Sequence, residues 1–285
     1  MRGNCAGLLD AGEKRMNAWD ATTYEGKETI LRVVRDEAAR LIELAGRPGA
    51  WEAPTACERW AVRDVVGHLV DTTEGYFDAF ETARAGALAA PYGLNGMHER
   101  AGQQATRFRR LAQPEMLARL GSDLDKLMSL LESMGPDEWT GFVVPHFYMG
   151  PVPAFFYAAG QLMDYAVRSW DIRQGSGRAH GLSGDAADLL VPFMFVLWQS
   201  TVRQDADLTP FRLGITVTGR NAGRYRIDVS DEGMSYEQGD LSDLPTVIDF
   251  DAGSLVLTTF GRSNAGTVRG DQEIADRYLN LFFRI

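Results

Sequence analysis

The sequence predicts a helical bundle over residues 23–206 followed by a small α+β domain over residues 207–285. Three observations predict it. Apolar residues recur three and four positions apart through most of the chain before Asp207, the signature of helices buried on one face. After Asp207 the period drops to two, the signature of strands. A length of 285 residues also exceeds the usual single core, so a division in two is natural.

Residues 1–22 carry neither period and are read as a leader that is disordered or non-native, with Met1 and Met16 both left open as the start of translation. From Tyr24 to Ala45, Ile30, Val33, Val34, Ala38, Leu41 and Ile42 line one face of a helix that Gly46 and Pro48 stop. A second helix is predicted over Val62–Ala85, its stripe built from Val62, Val65, Val66, Leu69, Val70, Tyr76, Phe77 and Phe80, with His68 at the stripe's border. Pro91 to Asn95 breaks the pattern, and a shorter polar helix follows over Met97–Leu111. Pro114 then opens an amphipath through Met116, Leu120, Leu124, Leu127 and Leu131. Gly135–Pro153, with His146 among aromatics and prolines, reads as a long loop able to cover a site. Helices resume over Ala154–Gln174 and Gly184–Gln204, and antiparallel amphipaths of this kind bury their stripes against one another.

In the C-terminal part, Leu213, Ile215 and Val217 alternate with polar residues, as do Tyr225, Ile227 and Val229. Asn221 to Gly223 and Asp231 to Gly233 supply the turns. Ile248 and Phe250 mark a further strand, and a last helix is capped by Asp271 and packed through Ile274, Tyr278, Leu279 and Phe282.

Composition narrows the function classes. A formal charge of -10 without clustered basic residues argues against a nucleic-acid partner and an anionic membrane surface. No apolar run reaches the roughly 18 residues of a membrane span, so a cytoplasmic protein with a small-molecule substrate is expected. Cys5 and Cys57 are too few for a disulfide framework. Cys57 reads as a small packed thiol, since no nearby histidine in sequence would activate it.

Two segments carry chemistry. One is Trp60-Ala-Val-Arg63-Asp64-Val-Val-Gly67-His68; the other is Asp164-Tyr-Ala-Val-Arg168-Ser-Trp170-Asp171. In the second, Tyr157, Gln161, Asp164, Arg168 and Asp171 follow at spacings of four, three, four and three and share one helical face. Such a stripe is either a solvated back or the wall of a wet pocket. It holds neither lysine nor glutamate, which favours the pocket. Asp64 and Asp71, a turn to either side of His68, stand where they would orient its ring.

These segments, with Thr55-Ala-Cys57-Glu-Arg-Trp60 before them, resemble the mycothiol-dependent maleylpyruvate isomerase family, a branch of the DinB-like metal-binding bundles. Phe250 to Ser254, Gly261-Arg262 and Val268 to Asp271 look like the sterol-carrier-like domain fused to that bundle in many members. The resemblance implies a divalent metal such as zinc, held by His68, Asp164 and the residue at position 168, and mycothiol as the thiol added to an unsaturated substrate. Position 168 is arginine, which has no lone pair to donate and is no ligand. His68 and Asp164 are left as a two-ligand remnant, which His146 would have to complete. The alternative is that Arg168 pairs with Asp164 and replaces the metal's charge.

A metal-free pocket without a cofactor is the expectation. His68, Asp164 and Arg168 are the candidate catalytic residues, and Tyr157, Gln161, His146, Trp170 and Arg262 the candidate substrate contacts. The expected function is a maleylpyruvate isomerase-like enzyme acting by acid–base chemistry on an unsaturated metabolite. The alternatives are a metal- and mycothiol-dependent isomerase or S-transferase, and a non-catalytic carrier of an apolar ligand.

Overall fold

The computed structural model describes residues 18–285 apart from positions 88, 94, 95, 97–99, 101, 104, 105, 178 and 179. Most of the expected leader, Met16, His98 and much of the expected helix over Met97–Leu111 therefore lie outside the described residues. The chain divides into two compact units, the first ending at Leu182 and the second running from Ser183 to Ile285.

The first unit is helical. Its elements are α1 (Lys27–Gly46), α2 (Val62–Arg84), α3 (Gln113–Glu132), the single-turn α4 (Pro136–Gly141) and α5 (Phe155–Gly175). The predicted stripes are the buried ones: Ile30, Val34, Ala38 and Leu41 on α1, Val65, Val66, Leu69 and Val70 on α2, and Leu120, Leu127 and Leu131 on α3 are fully enclosed. Pro114 stands in the first turn of α3, where its missing N–H costs nothing. Lys27 ties two helices together: its ammonium donates to the carbonyls of Glu132 at 2.8 Å and Met134 at 2.5 Å, closing the C-terminal end of α3.

The stretch expected as a long loop is structured. After α4, β1 (Val143–His146) and β2 (Gly150–Pro153) form an antiparallel hairpin in which Pro145 pairs with Pro151. Prolines disguise it in the sequence, but both strands are edges, and an edge strand tolerates a missing donor. The hairpin leans on α2 where Gly75 leaves room for the Phe147 ring; a Cβ there would stand 2.9 Å from it.

Helix α5 is enclosed on nearly all sides, packing against α1 and α2. Phe156, Ala159 and Val167 are buried, and so are Tyr157, Gln161, Arg168 and Asp171 of the polar stripe. The stripe is thus an interior face, not a solvated back. The segment joining α1 to α2 crosses the last turn of α5, with the Ala56 amide donating to the Asp171 carbonyl at 2.9 Å. The crossing is close enough that a Cβ on Gly175 would stand 2.1 Å from the Pro54 carbonyl oxygen.

The second unit begins with α6 (Gly184–Ser200), a helix that the sequence reading assigns to the bundle. Its aromatic residues meet the sheet of its own unit: Phe195 stacks on Tyr225 at 4.0 Å and Trp198 on Phe282 at 5.4 Å. Periodicity identifies a buried stripe but not the core that buries it. The sheet comprises β3 (Phe211–Thr218), β4 (Gly223–Ser230), β5 (Gly233–Gln238), β6 (Val247–Asp251) and β7 (Thr267–Arg269), in the order β5-β4-β3-β6-β7. Strands β3 and β6 are parallel and the other pairs antiparallel. Between β6 and β7 lies α7 (Ala252–Thr259), where Asp251 caps by accepting from the Ser254 amide at 2.9 Å. The closing helix α8 (Gln272–Leu279) is capped as predicted, Asp271 accepting from the Glu273 amide at 2.8 Å. No helix among the described residues is long and apolar enough to cross a membrane.

The Gly175 crossing generates a prediction. Gly175→Ala forces the Pro54 segment off α5 and is expected to destabilise the first unit by about 1–3 kcal/mol, read as a lowered denaturant midpoint. An unchanged midpoint would show that the crossing contributes nothing.

Candidate functional site

His68 reaches the site from α2 and Asp164 from α5. The imidazole Nε2 stands 3.6 Å from the Asp164 carboxylate, with side-chain exposures of 12% and 16%. The gap is longer than a direct hydrogen bond and suits a bridging proton carrier, water or substrate. Trp60 lies against the histidine, ring centroids 5.2 Å apart. The His68 Nδ1 is buried without a hydrogen-bond partner.

The expected orienting carboxylates do other work. Asp64 accepts from the Ala61 amide at 2.9 Å, capping α2, and takes a two-point bond from Arg109 at 2.6 and 3.0 Å. Asp71 pairs with Arg107 at 3.0 Å. Their places a turn from His68 put them on neighbouring faces of α2, within reach of arginines that are distant in sequence.

Arg168 departs most from expectation. The anticipated Asp164–Arg168 ion pair is not formed. Nη1 instead lies 3.0 Å from Asp171 Oδ2, and the two side chains are 7% and 0% exposed. The same Nη1 is 3.5 Å from the Cys57 sulfur, which in turn stands 3.0 Å from Asp171 Oδ2. The guanidinium carbon sits 5.6 Å over the Trp60 ring. Burial pulls the guanidinium pKa down, but the electrostatic pull of Cys57, Asp171 and Asp164 outweighs it and leaves the group above its ordinary value. Arg168 is permanently charged here.

Around Asp164 lies a wall of aromatic hydroxyls. Burial first, and the Asp164 charge after it, push the Tyr76 and Tyr165 phenols above their usual range. Burial raises Tyr157 likewise, and its hydroxyl donates to the Pro145 carbonyl at 2.7 Å. Gln161 is fully enclosed and engaged with Thr73, its amide nitrogen 3.2 Å from the threonine oxygen.

His146, from the hairpin, packs edge-on to Tyr157 at 6.0 Å, and its Nδ1 accepts from the Tyr148 and Met149 amides at 3.4 and 3.3 Å. Burial lowers its pKa to about 4, against the pull of Asp164. It does not complete a ligand set. No group of three His, Cys, Asp or Glu side chains among the described residues is placed to hold a metal ion.

Of the two remaining candidate contacts, one has other partners within the first unit and the other lies in the second unit. Trp170 projects from another face of α5 and packs against His180 at 5.8 Å. Arg262 belongs to the second unit, where it donates to the Phe260 and Ile285 carbonyls at 3.0 and 2.6 Å. Conversely, the sequence places Asp171 on the polar stripe without a partner or a role, and gives Trp60 and Cys57 no role in the site. The i,i+3 spacing of Arg168 and Asp171 was the available signal for one of them. The contact of Cys57 with Arg168, 111 residues apart, left no local trace.

The depressed His146 pKa has a consequence for stability. The folded value of about 4 lies below the ordinary 6.5, so the unfolded chain takes up the proton first as pH falls. The His146 contribution is therefore complete above about pH 6.5 and lost as pH drops toward 4. The first unit is expected to lose up to about 3 kcal/mol over this window. His146→Gln should flatten this part of the profile, checked by denaturant unfolding across the range; an identical slope in the variant would refute the assignment.

Comparison with known proteins bears on this arrangement. The model of the mycothiol maleylpyruvate isomerase N-terminal domain matches residues 31–173. Among solved structures, that of the mycothiol-dependent maleylpyruvate isomerase is similar with a TM-score of 0.55 and 13% identity, covering 86% of this chain and 94% of that one. A histidine-to-alanine variant of the mycothiol-dependent isomerase matches with a TM-score of 0.55, 12% identity and the same coverage. At such identities the likeness is one of fold: a helical N-terminal region resembling the DinB-like fold, then a sheet-containing C-terminal part. No curated protein matches the chain. The family match spans half of the sequence and includes His68, Asp164, Arg168 and Asp171, and by it the chain belongs to the mycothiol maleylpyruvate isomerase N-terminal domain family.

Proposed function

We propose that this chain is an enzyme of its family that works without a metal, using His68 and Asp164 for acid–base chemistry on an unsaturated metabolite. One observation carries the proposal: the residue at the position of the expected third metal ligand is a buried guanidinium, pinned by Asp171 at 3.0 Å. Arginine offers donors only, and its charge, within electrostatic reach of Asp164, opposes a second cation there. A catalytic zinc takes three protein donors as a rule. The donor set here does not fit one.

In this reading His68 takes a proton from the substrate, and Asp164 stabilises the imidazolium that results. Arg168 supplies a fixed positive charge toward an enolate or carboxylate oxygen. Tyr165, beside Gln161, is the phenol available as a donor, because the Tyr157 proton is committed to Pro145. Neutral His146 and the enclosing tyrosines keep bulk water out, which strengthens each of these interactions. The sterol-carrier-like reading of the second unit is part of the same proposal, and carriage of an apolar ligand is its non-catalytic alternative.

Two experiments test it. Protein purified without chelators is expected to carry under about a tenth of an equivalent of zinc, and Arg168→His to acquire about one equivalent. Stoichiometric metal in the native chain, lost in His68→Ala, would overturn the reading. The relative named above acts on maleylpyruvate, which is the first substrate to try, with and without mycothiol. Turnover independent of added zinc is expected, with His68→Ala and Asp164→Asn each lowering kcat/KM about 10²- to 10⁴-fold. Turnover that requires both zinc and mycothiol would establish the metal-dependent alternative.

A further inference from the structure

We propose that the groove where the C-terminal ends of α1 and α5 meet the start of α2 is a second binding site, one that takes a singly charged organic anion with a short apolar body. The groove lies wholly in the first unit and contains neither His68 nor Asp164, so the proposal does not depend on the chemistry assigned to that pair.

Size and lining fit a ligand of this kind. The groove encloses about 550 Å³, within the roughly 300–1,000 Å³ usual for small-molecule sites. Leu44 from α1, Val62 from α2 and Ile172 from α5 give it apolar surface, and Val62 and Ile172 are buried. Arg40, Arg47 and Arg173 line it with three guanidinium groups.

The charges around the groove select a single negative group. Arg40 Nη1 lies 2.6 Å from Glu37, a carboxylate that is only 2% exposed, and that cation is matched. Arg47 lies 2.9 Å from Glu43 with both side chains open to water, a pair so screened that Arg47 is free to turn toward a ligand. Arg173 stands apart from both. Its Nε donates to the Ser169 carbonyl at 3.2 Å, and among the described residues it forms no ion pair. Burial, with the like charge of Arg40 added, holds its guanidinium below the ordinary value against the pull of Glu37. Two of the three cations have a carboxylate beside them and one has not, so one anionic group completes the set.

Helix C-termini favour cations on their own account, and Arg47 and Arg173 stand at two of them. That preference calls for neither a cleft nor an apolar floor beneath the charges. An inorganic ion would leave the floor wet, and a neutral apolar molecule would leave Arg173 unmatched. A carboxylate on a hydrocarbon body satisfies both, its two oxygens suited to the forked donors of a guanidinium.

The test uses the full chain and octanoate as the probe, titrated calorimetrically beside octanol, which keeps only the tail, and inorganic phosphate, which keeps only the charge. Octanoate is expected to bind with a Kd below about 1 mM, at least about tenfold more tightly than either control, and more weakly as salt screens the exposed charges. Arg173→Gln should weaken it at least about tenfold. Location is read separately, with an octanoate analogue carrying a photoactivated diazirine on its tail. Labelled peptides of the native chain are expected to contain residues 40–53 or 172–176. Octanol or phosphate binding as tightly as octanoate, or no octanoate binding in the millimolar range, overturns the ligand class. Labelling confined to the second unit or to the surroundings of His68 overturns the site, and neither result needs a variant to fold. An affinity unchanged in folded Arg173→Gln overturns the role given to that guanidinium.

Discussion

A guanidinium enclosed by protein is the constraint on which the first unit's interior turns. Arg168 cannot shed its proton, so its burial requires a carboxylate at hand, and Asp171 meets that requirement one helical turn away. Removing one partner of such a pair costs about 3–5 kcal/mol, because the other is left charged and unmatched. Asp171 in turn anchors the segment between α1 and α2 through its carbonyl, and that segment delivers Cys57 and Trp60. Asp164, relieved of Arg168, faces His68 instead. One side-chain pairing thereby arranges the loop, the thiol, the indole and the histidine–carboxylate pair.

Much of the fold was legible in the sequence because it rests on local periodicity. The stripes of α1, α2 and α3, the alternation of β3 and β4 and the Asp271 cap follow from residues a few positions apart. Errors arose where a longer-range fact decided. Helix α6 has the same apolar content whichever core receives it, and only the partners of Phe195 and Trp198 reveal that this is the sheet's. The β1–β2 hairpin was hidden by prolines that are incompatible with a sheet interior and harmless in a two-stranded ribbon.

The site was legible in position and illegible in pairing. Spacings of three and four placed Tyr157, Gln161, Asp164, Arg168 and Asp171 on one face, and that face is interior. Helix geometry, however, offers Arg168 two carboxylates equally, Asp164 four residues before it and Asp171 three after. The choice is made by the crossing segment. His68 illustrates the same limit: its aspartate neighbours belong to arginines some 36 and 45 residues away.

Under the proposed metal-free reading, the identity of the central cation has an implication for how this protein is supplied with its charge. An ion must be acquired from the surroundings, competes with other ions and is surrendered to stronger binders. A side chain is delivered by the ribosome in strict one-to-one ratio and stays. Starvation for trace elements, or a chelating environment, therefore has no hold on the positive centre that Arg168 provides. The same permanence removes a freedom, since a covalently carried charge cannot be swapped for another element or open a coordination position to an incoming molecule. Whatever selectivity this pocket has was written at translation.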